Sequence, residues 1–134
     1  MAVKPTAFLL DTSAYSAFNR GDARVRTWFS ADHTIQVPLI VIGELRAGFA
    51  AGSKPRKNEK LLDRFLSTSS VQILALSLKT TEVFASLFLQ LRQAGKPTAT
   101  NDLWIAALAL EHNLPILTLD SDFQRIKGIT VVKL

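Results

Sequence analysis

Apolar residues fall along this chain in two rhythms. Ala7 to Leu10, Val71 to Leu76 and Pro115 to Leu119 are short runs without a wet face, the pattern of strands covered on both sides. Thr34-Ile-Gln-Val, closed by Pro38, predicts a further strand, and Ile129 to Val132 a last one. Between them the spacing turns helical. Ala14 to Arg20 predicts a short helix stopped by Gly21, and Asp22 opens another through Val25, Trp28 and Phe29. Leu39 to Ala50 reads as a helix apolar nearly all round, and Gly52 to Pro55 as a flexible loop before an amphipathic helix over Asn58 to Leu66. Ser77 or Thr80 caps a long helix that runs to Ala94, with Gly95 as its stop. Thr100 and Asn101 supply the N-cap of a helix whose run from Leu103 to Leu110 is too apolar for a solvent face, and Asn113-Leu-Pro ends it. Past Asp122, Phe123 to Ile126 is expected to turn once more.

Strands that alternate with helices imply an α/β fold, a three-layer α/β/α sandwich on a mainly parallel central sheet. Right-handed crossovers then put every strand-to-helix turn on one edge. Asp11, after the first strand, and Asp120, after the strand at Pro115 to Leu119, would share that rim, the side of an open parallel sheet where ligands bind.

Composition narrows this picture. The 134 residues fit one domain, 1–134, and 48% hydrophobic against 20% charged residues point to an ordered globular chain. Cysteine is absent, which removes disulfides and thiolate metal sites and agrees with a cytoplasmic setting. The N-terminal MAVKPTAFLL has an apolar run too short for a signal peptide or a membrane span. A formal charge of +5 tilts the partner toward a polyanion. Lys54, Arg56, Lys57, Lys60 and Arg64 crowd one segment, which reads either as an RNA-backbone contact or as a solvated helix face.

The acidic positions carry the chemistry. Asp11 can cap the helix that follows it, Asp102 can complement a helix dipole, and Asp120 and Asp122 can be turn formers. Glu44 has Ile40, Val41, Ala47 and Gly48 as its helical neighbours, which places its carboxylate on a packed face. Arg46 lies on another face of that helix and is no local partner for it. The inferred fold gathers Asp11, Glu44, Asp102 and Asp120 at one rim. Two carboxylates about 4 Å apart repel by roughly 4 kcal/mol at an effective dielectric near 20, and a divalent cation relieves that. With no Cys, and with His33 and His112 away from the acids, all-oxygen ligands favour Mg²⁺ or Mn²⁺ over zinc. Neither a P-loop nor GxGxxG is present, and the acidic pair of a signalling receiver is missing where Asp11-Thr12-Ser13 stands.

Together, Asp11-Thr-Ser after the first strand, Glu44 in IGELRAG, NDLWIAA at Asn101 to Ala107 and LTLDSDF at Leu117 to Phe123 resemble a PIN-domain ribonuclease, and within that family the VapC toxins of toxin-antitoxin pairs. The likeness spans nearly the whole chain. It implies a metal-dependent endoribonuclease that cuts single-stranded or looped RNA to leave a 5′-phosphate and a 3′-hydroxyl. It implies that Asp11, Glu44, Asp102 and Asp120 form the acidic set that binds Mg²⁺ or Mn²⁺. Thr12, Ser13, Asn101 and Thr118 match the family's supporting polar positions, and Asp122 competes with Asp120 for the fourth acid. A homodimer and a VapB-like antitoxin are the partners implied, and apolar surplus in Leu39 to Ala50 and Phe84 to Leu91 agrees with a covered surface. A catalytically silent PIN-like interaction module is the competing reading.

Overall fold

The computed structural model describes residues 6–30 and 32–134, so part of the N-terminal segment read above, 1–5, lies outside the described residues. Four strands, β1 (Ala7–Leu10), β2 (Thr34–Pro38), β3 (Val71–Leu74) and β4 (Ile116–Leu117), form a sheet in the order β3-β2-β1-β4. Every strand pair is parallel. Helices α1 (Thr12–Asn19), α2 (Ala23–Arg26), α3 (Leu39–Ala51), α4 (Pro55–Leu66), α5 (Leu78–Gln93) and α6 (Thr100–His112) flank it, giving the three-layer α/β/α arrangement. Single 3₁₀ turns lie at Thr27–Phe29 and Ser121–Arg125.

The core is built from the runs that the sequence marks as apolar throughout. Phe8, Leu9 and Leu10 on β1 and Ile116 and Leu117 on β4 are fully buried, as are Ile105 to Leu108 on α6. β4 is shorter than the run at Pro115 to Leu119 suggests. It is nevertheless bonded on both sides, by β1 through Leu9 and Leu10 and by a bridge from Ile116 to Val131. The last strand, expected over Ile129 to Val132, is reduced to that bridge, with Ile116 N–H donating to Thr130 O at 2.8 Å and Val132 N–H to Ile116 O at 2.9 Å. β3 likewise ends at Leu74 rather than Leu76, and Leu76 is 40% exposed.

Helix ends follow local chemistry. Ser77 accepts from the Thr80 amide while the Thr80 hydroxyl accepts from the Ser77 amide, a capping box that starts α5. Glu111, near the end of α6, accepts from the Ser77 hydroxyl at 2.9 Å and from Thr80, and so ties the two packed helices together. Asn113 closes α6 in the left-handed conformation, φ 52, a geometry Asn tolerates better than most residues. The start of α6 differs from expectation. Its N-cap is Ala99, with no side-chain cap bond, and Thr100 and Asn101 lie within the first turn. α3 is also less enclosed than its composition suggests, since Gly43, Ala47, Gly48 and Ala50 are exposed. Small residues read as apolar in sequence but bury little area, so one side of α3 faces water.

This topology brings the C-terminal ends of β1 and β4 side by side, joined where Asp11 N–H donates to Leu117 O at 3.1 Å. α3 begins directly at the end of β2, and its second turn brings Glu44 to the same rim.

Candidate metal centre

Asp11 follows β1 and occupies the N-cap of α1, yet its side chain makes no cap bond. The capping role is thereby removed, and the carboxylate serves another purpose. It is 5% exposed, and its Oδ2 accepts the Thr118 hydroxyl at 2.7 Å and the Ser13 hydroxyl at 3.1 Å. Those hydroxyls are themselves oriented, because Ser13 Oγ accepts the Leu119 amide at 3.0 Å and Thr118 Oγ1 accepts the Asp120 amide at 2.9 Å. Each hydroxyl has one proton. With both directed at Oδ2, the 3.1 Å contact between Ser13 and Thr118 is one of packing. Asp11 is thus clamped from α1 and from the end of β4 at once. Burial raises its carboxyl above the usual aspartate range, while the Thr118 and Ser13 bonds pull it back.

Glu44 arrives from α3, half-buried. Its helical neighbours Ala47 and Gly48 are exposed, so its carboxylate stands at the border of the packed face and not within it. Thr12 donates to Oε1 at 2.9 Å and the Asn101 amide to Oε2 at 3.4 Å, so both residues act on Glu44. Asn101 is an orienting side chain and not the helix cap. Arg46 turns away and pairs with Glu59 at 3.3 Å and Asp63 at 3.7 Å.

The remaining acids face one another. Asp102, in the first turn of α6, and Asp120 and Asp122, around the 3₁₀ turn after β4, each place a carboxylate oxygen within 4.8 Å of the other two. Asp120 also caps that turn by accepting the Asp122 amide at 2.9 Å. Asp102 is pushed up to about 6, first by burial and then by the charges of Asp11, Asp120, Glu44 and Asp122. Its ionisation therefore registers every other acid named from sequence, while the close group is Asp102, Asp120 and Asp122, with Asp11 and Glu44 outside it. Among the described residues no Lys or Arg pairs with Asp11, Glu44, Asp102 or Asp120, and Asp122 has only a 4.0 Å approach from Arg125.

The donor set suits a hard divalent cation. It offers oxygen alone, from carboxylates that converge without a counter-charge, and they leave ligand positions for water and phosphate. Asp102, Asp120 and Asp122 would hold the ion, and Asp11 and Glu44 act on Asp102 through their charge. The structure thus groups Asp120 and Asp122 together instead of selecting one.

A parallel sheet with an uncompensated acidic pocket at its C-terminal rim defines a metal-binding α/β domain. The PIN domain model matches residues 8–129, and the chain belongs to that family. Its relatives within the family include VapC ribonucleases. It is 28% identical over 134 residues to Ribonuclease VapC5 of Mycobacterium tuberculosis, covering 100% of this chain and 98% of that one. It is 30% identical over 126 residues to Ribonuclease VapC of Rickettsia bellii, covering 92% and 93%. Among solved structures, VapBC2 from Rickettsia felis bound to a DNA fragment from its promoter contains a chain that superimposes with a TM-score of 0.84 at 28% identity, covering 96% of this chain and 98% of that one.

An aspartate whose carboxyl stands higher in the folded chain than in the unfolded one keeps an extra proton when folded. Asp102 therefore stabilises the fold below the ordinary value of 3.8 and loses that contribution as pH rises through about 6. In metal-free buffer the wild-type melting temperature is expected to fall between about pH 4 and about pH 7, and Asp102→Asn to remove most of that drop. A thermal melt series checks this, and an unchanged pH slope in the variant would refute it.

Proposed function

We propose that this chain is a divalent-cation-dependent endoribonuclease, the toxin of a type II toxin-antitoxin pair, acting as one domain over 1–134. The observation that carries the reading is the acidic pocket without internal counter-charge, in a chain whose relatives are VapC ribonucleases. The ion is Mg²⁺ or Mn²⁺, because every available donor is oxygen. When bound, it offsets charge that develops on the phosphoryl group and makes water more acidic.

The chain's own residues do the rest. Thr118 and Ser13 fix the Asp11 carboxylate through its Oδ2. Thr12 and Asn101 hold Glu44 in reach of an attacking water, whose proton a carboxylate at this rim accepts. At neutral pH Asp102 is ionised and available as a ligand, since its carboxyl stands at about 6. Lys54, Arg56, Lys57, Lys60 and Arg64 are exposed on and just before α4 and, among the described residues, take part in no ion pair. The acids of α4, Glu59 and Asp63, are turned instead to Arg46. The basic stripe is therefore free to follow an RNA backbone.

The Rickettsia felis relative was solved as VapBC2, and by that likeness a VapB-like antitoxin is the partner here. Exposed apolar residues support a homodimer, with Leu39 49%, Phe88 49% and Leu89 53% exposed. Among the described residues no helix is long and apolar enough to cross a membrane.

Purified protein incubated with total RNA and magnesium or manganese should cleave it, and Asp11→Asn should slow cleavage at least about 100-fold while its circular dichroism stays native. Undiminished cleavage by that variant would overturn the assignment, and no cleavage by the wild type would leave a silent interaction module. For the basic stripe, Lys57→Ala with Lys60→Ala should lower the slope of log affinity against log salt by about 1 to 2. An unchanged slope would make the stripe a solvated face.

A further inference from the structure

A cleft of about 570 Å³ opens directly beside the acidic pocket. Asp120 belongs to both, and Thr118, which also lines the cleft, bonds Asp11. Beyond Asp120 the floor of the cleft is apolar, formed by Ile129, Val131 and Val132 from the C-terminal segment. Its polar lining includes Gln124 on the 3₁₀ turn and Lys133 near the C-terminus. Among the described residues neither the Gln124 amide nor the Lys133 ammonium has a side-chain hydrogen bond or an ion pair.

We propose that this cleft receives the base of a single-stranded RNA nucleotide adjoining the cleaved phosphate, and that Gln124 reads the edge of that base. The proposal rests on the nuclease reading and extends it to substrate choice. The size falls within the range of about 300–1,000 Å³ typical of small-ligand pockets. A base has apolar faces and a polar edge, which match an apolar floor with an amide at its rim. Gln presents a donor and an acceptor together, the pair that binds an adenine edge in bidentate fashion and that other bases satisfy less well. Lys133 lines the same cleft as Asp120, so charges of both signs alternate in its lining. A cation and a phosphate belong at the Asp120 end, and the next phosphate belongs at Lys133. No such alternation serves a purely apolar peptide segment. A base stacked in an A-form duplex cannot enter such a cleft, and its major-groove edge is too deep for a side chain to read, which selects single strands. Thr118 gives the cleft a link to chemistry, because this lining residue also clamps Asp11 through its hydroxyl.

Two measurements test this together. In the first, short synthetic RNAs with each base in turn at every position around the cut are cleaved by wild type, Gln124→Ala and Lys133→Ala. Gln124→Ala should reduce the preference between best and worst base about tenfold at one position and leave the others unchanged. Lys133→Ala should raise KM severalfold at nearly constant kcat. A base preference identical to wild type at every position in Gln124→Ala would overturn the proposal. In the second, a mixed-sequence RNA tetranucleotide is titrated into labelled wild type in EDTA. The Gln124 side-chain amide and the Val131 methyl resonances should shift. If they stay fixed while wild type cleaves RNA, the cleft proposal fails and the nuclease reading stands. If they shift while no RNA is ever cleaved, the cleft holds RNA and the nuclease reading fails. Shifts that follow protein concentration and ignore RNA would assign the cleft to a second copy of the chain and overturn the proposal.

Discussion

Like-charge repulsion at one rim of a parallel sheet is the constraint on which the rest of this structure turns. Asp102 registers Asp11, Asp120, Glu44 and Asp122 together, and among the described residues the basic side chain that answers them is Arg125, at 4.0 Å from Asp122. Such a cluster is unfavourable in isolation, and the protein holds it in place with hydrogen bonds of its own. Asp11 is clamped by hydroxyls from α1 and from the end of β4, and Glu44 by Thr12 and Asn101. Rigid donors fix the geometry, while the charge stays uncompensated until a cation arrives.

The topology explains why these acids meet. Parallel pairing sends the C-terminal ends of β1, β2 and β4 to one side, and α3 and the 3₁₀ turn leave from there. α6 completes the pocket from its N-terminus, where Asp102 and Asn101 sit in the first turn. Its buried residues between Leu103 and Ala109 anchor that turn, so among the described helices the one with the most buried residues positions Asp102. Structural and functional roles are joined in one element.

Much of this arrangement is legible in the sequence because burial on both faces leaves an unmistakable mark. Phe8 to Leu10 and Ile105 to Leu108 announce themselves, and the acids that follow such runs stand out against them. Side-chain partnerships at the start of α6 are less legible. Asn101 has the composition of a cap, but only the tertiary approach of α3 decides that its amide goes to Glu44. The wet side of α3 was hidden for a different reason, since Gly and Ala count as apolar by type while exposing little that water disfavours. The C-terminal segment was the hardest to read. Val131 makes a single bridge where a strand was expected, and Gln124 and Lys133 carry no motif. Glu111, which links α6 to the α5 cap, gave no signal beyond the Ser77 and Thr80 pattern that it completes.

The central claim, that these acids form one cation site, is tested most directly by titrating manganese into the metal-free protein in a calorimeter near pH 6. The account predicts saturable binding that releases a fraction of a proton from Asp102, and a matching rise in melting temperature. A folded protein that takes up no manganese, with neither proton release nor a change in melting, would contradict it.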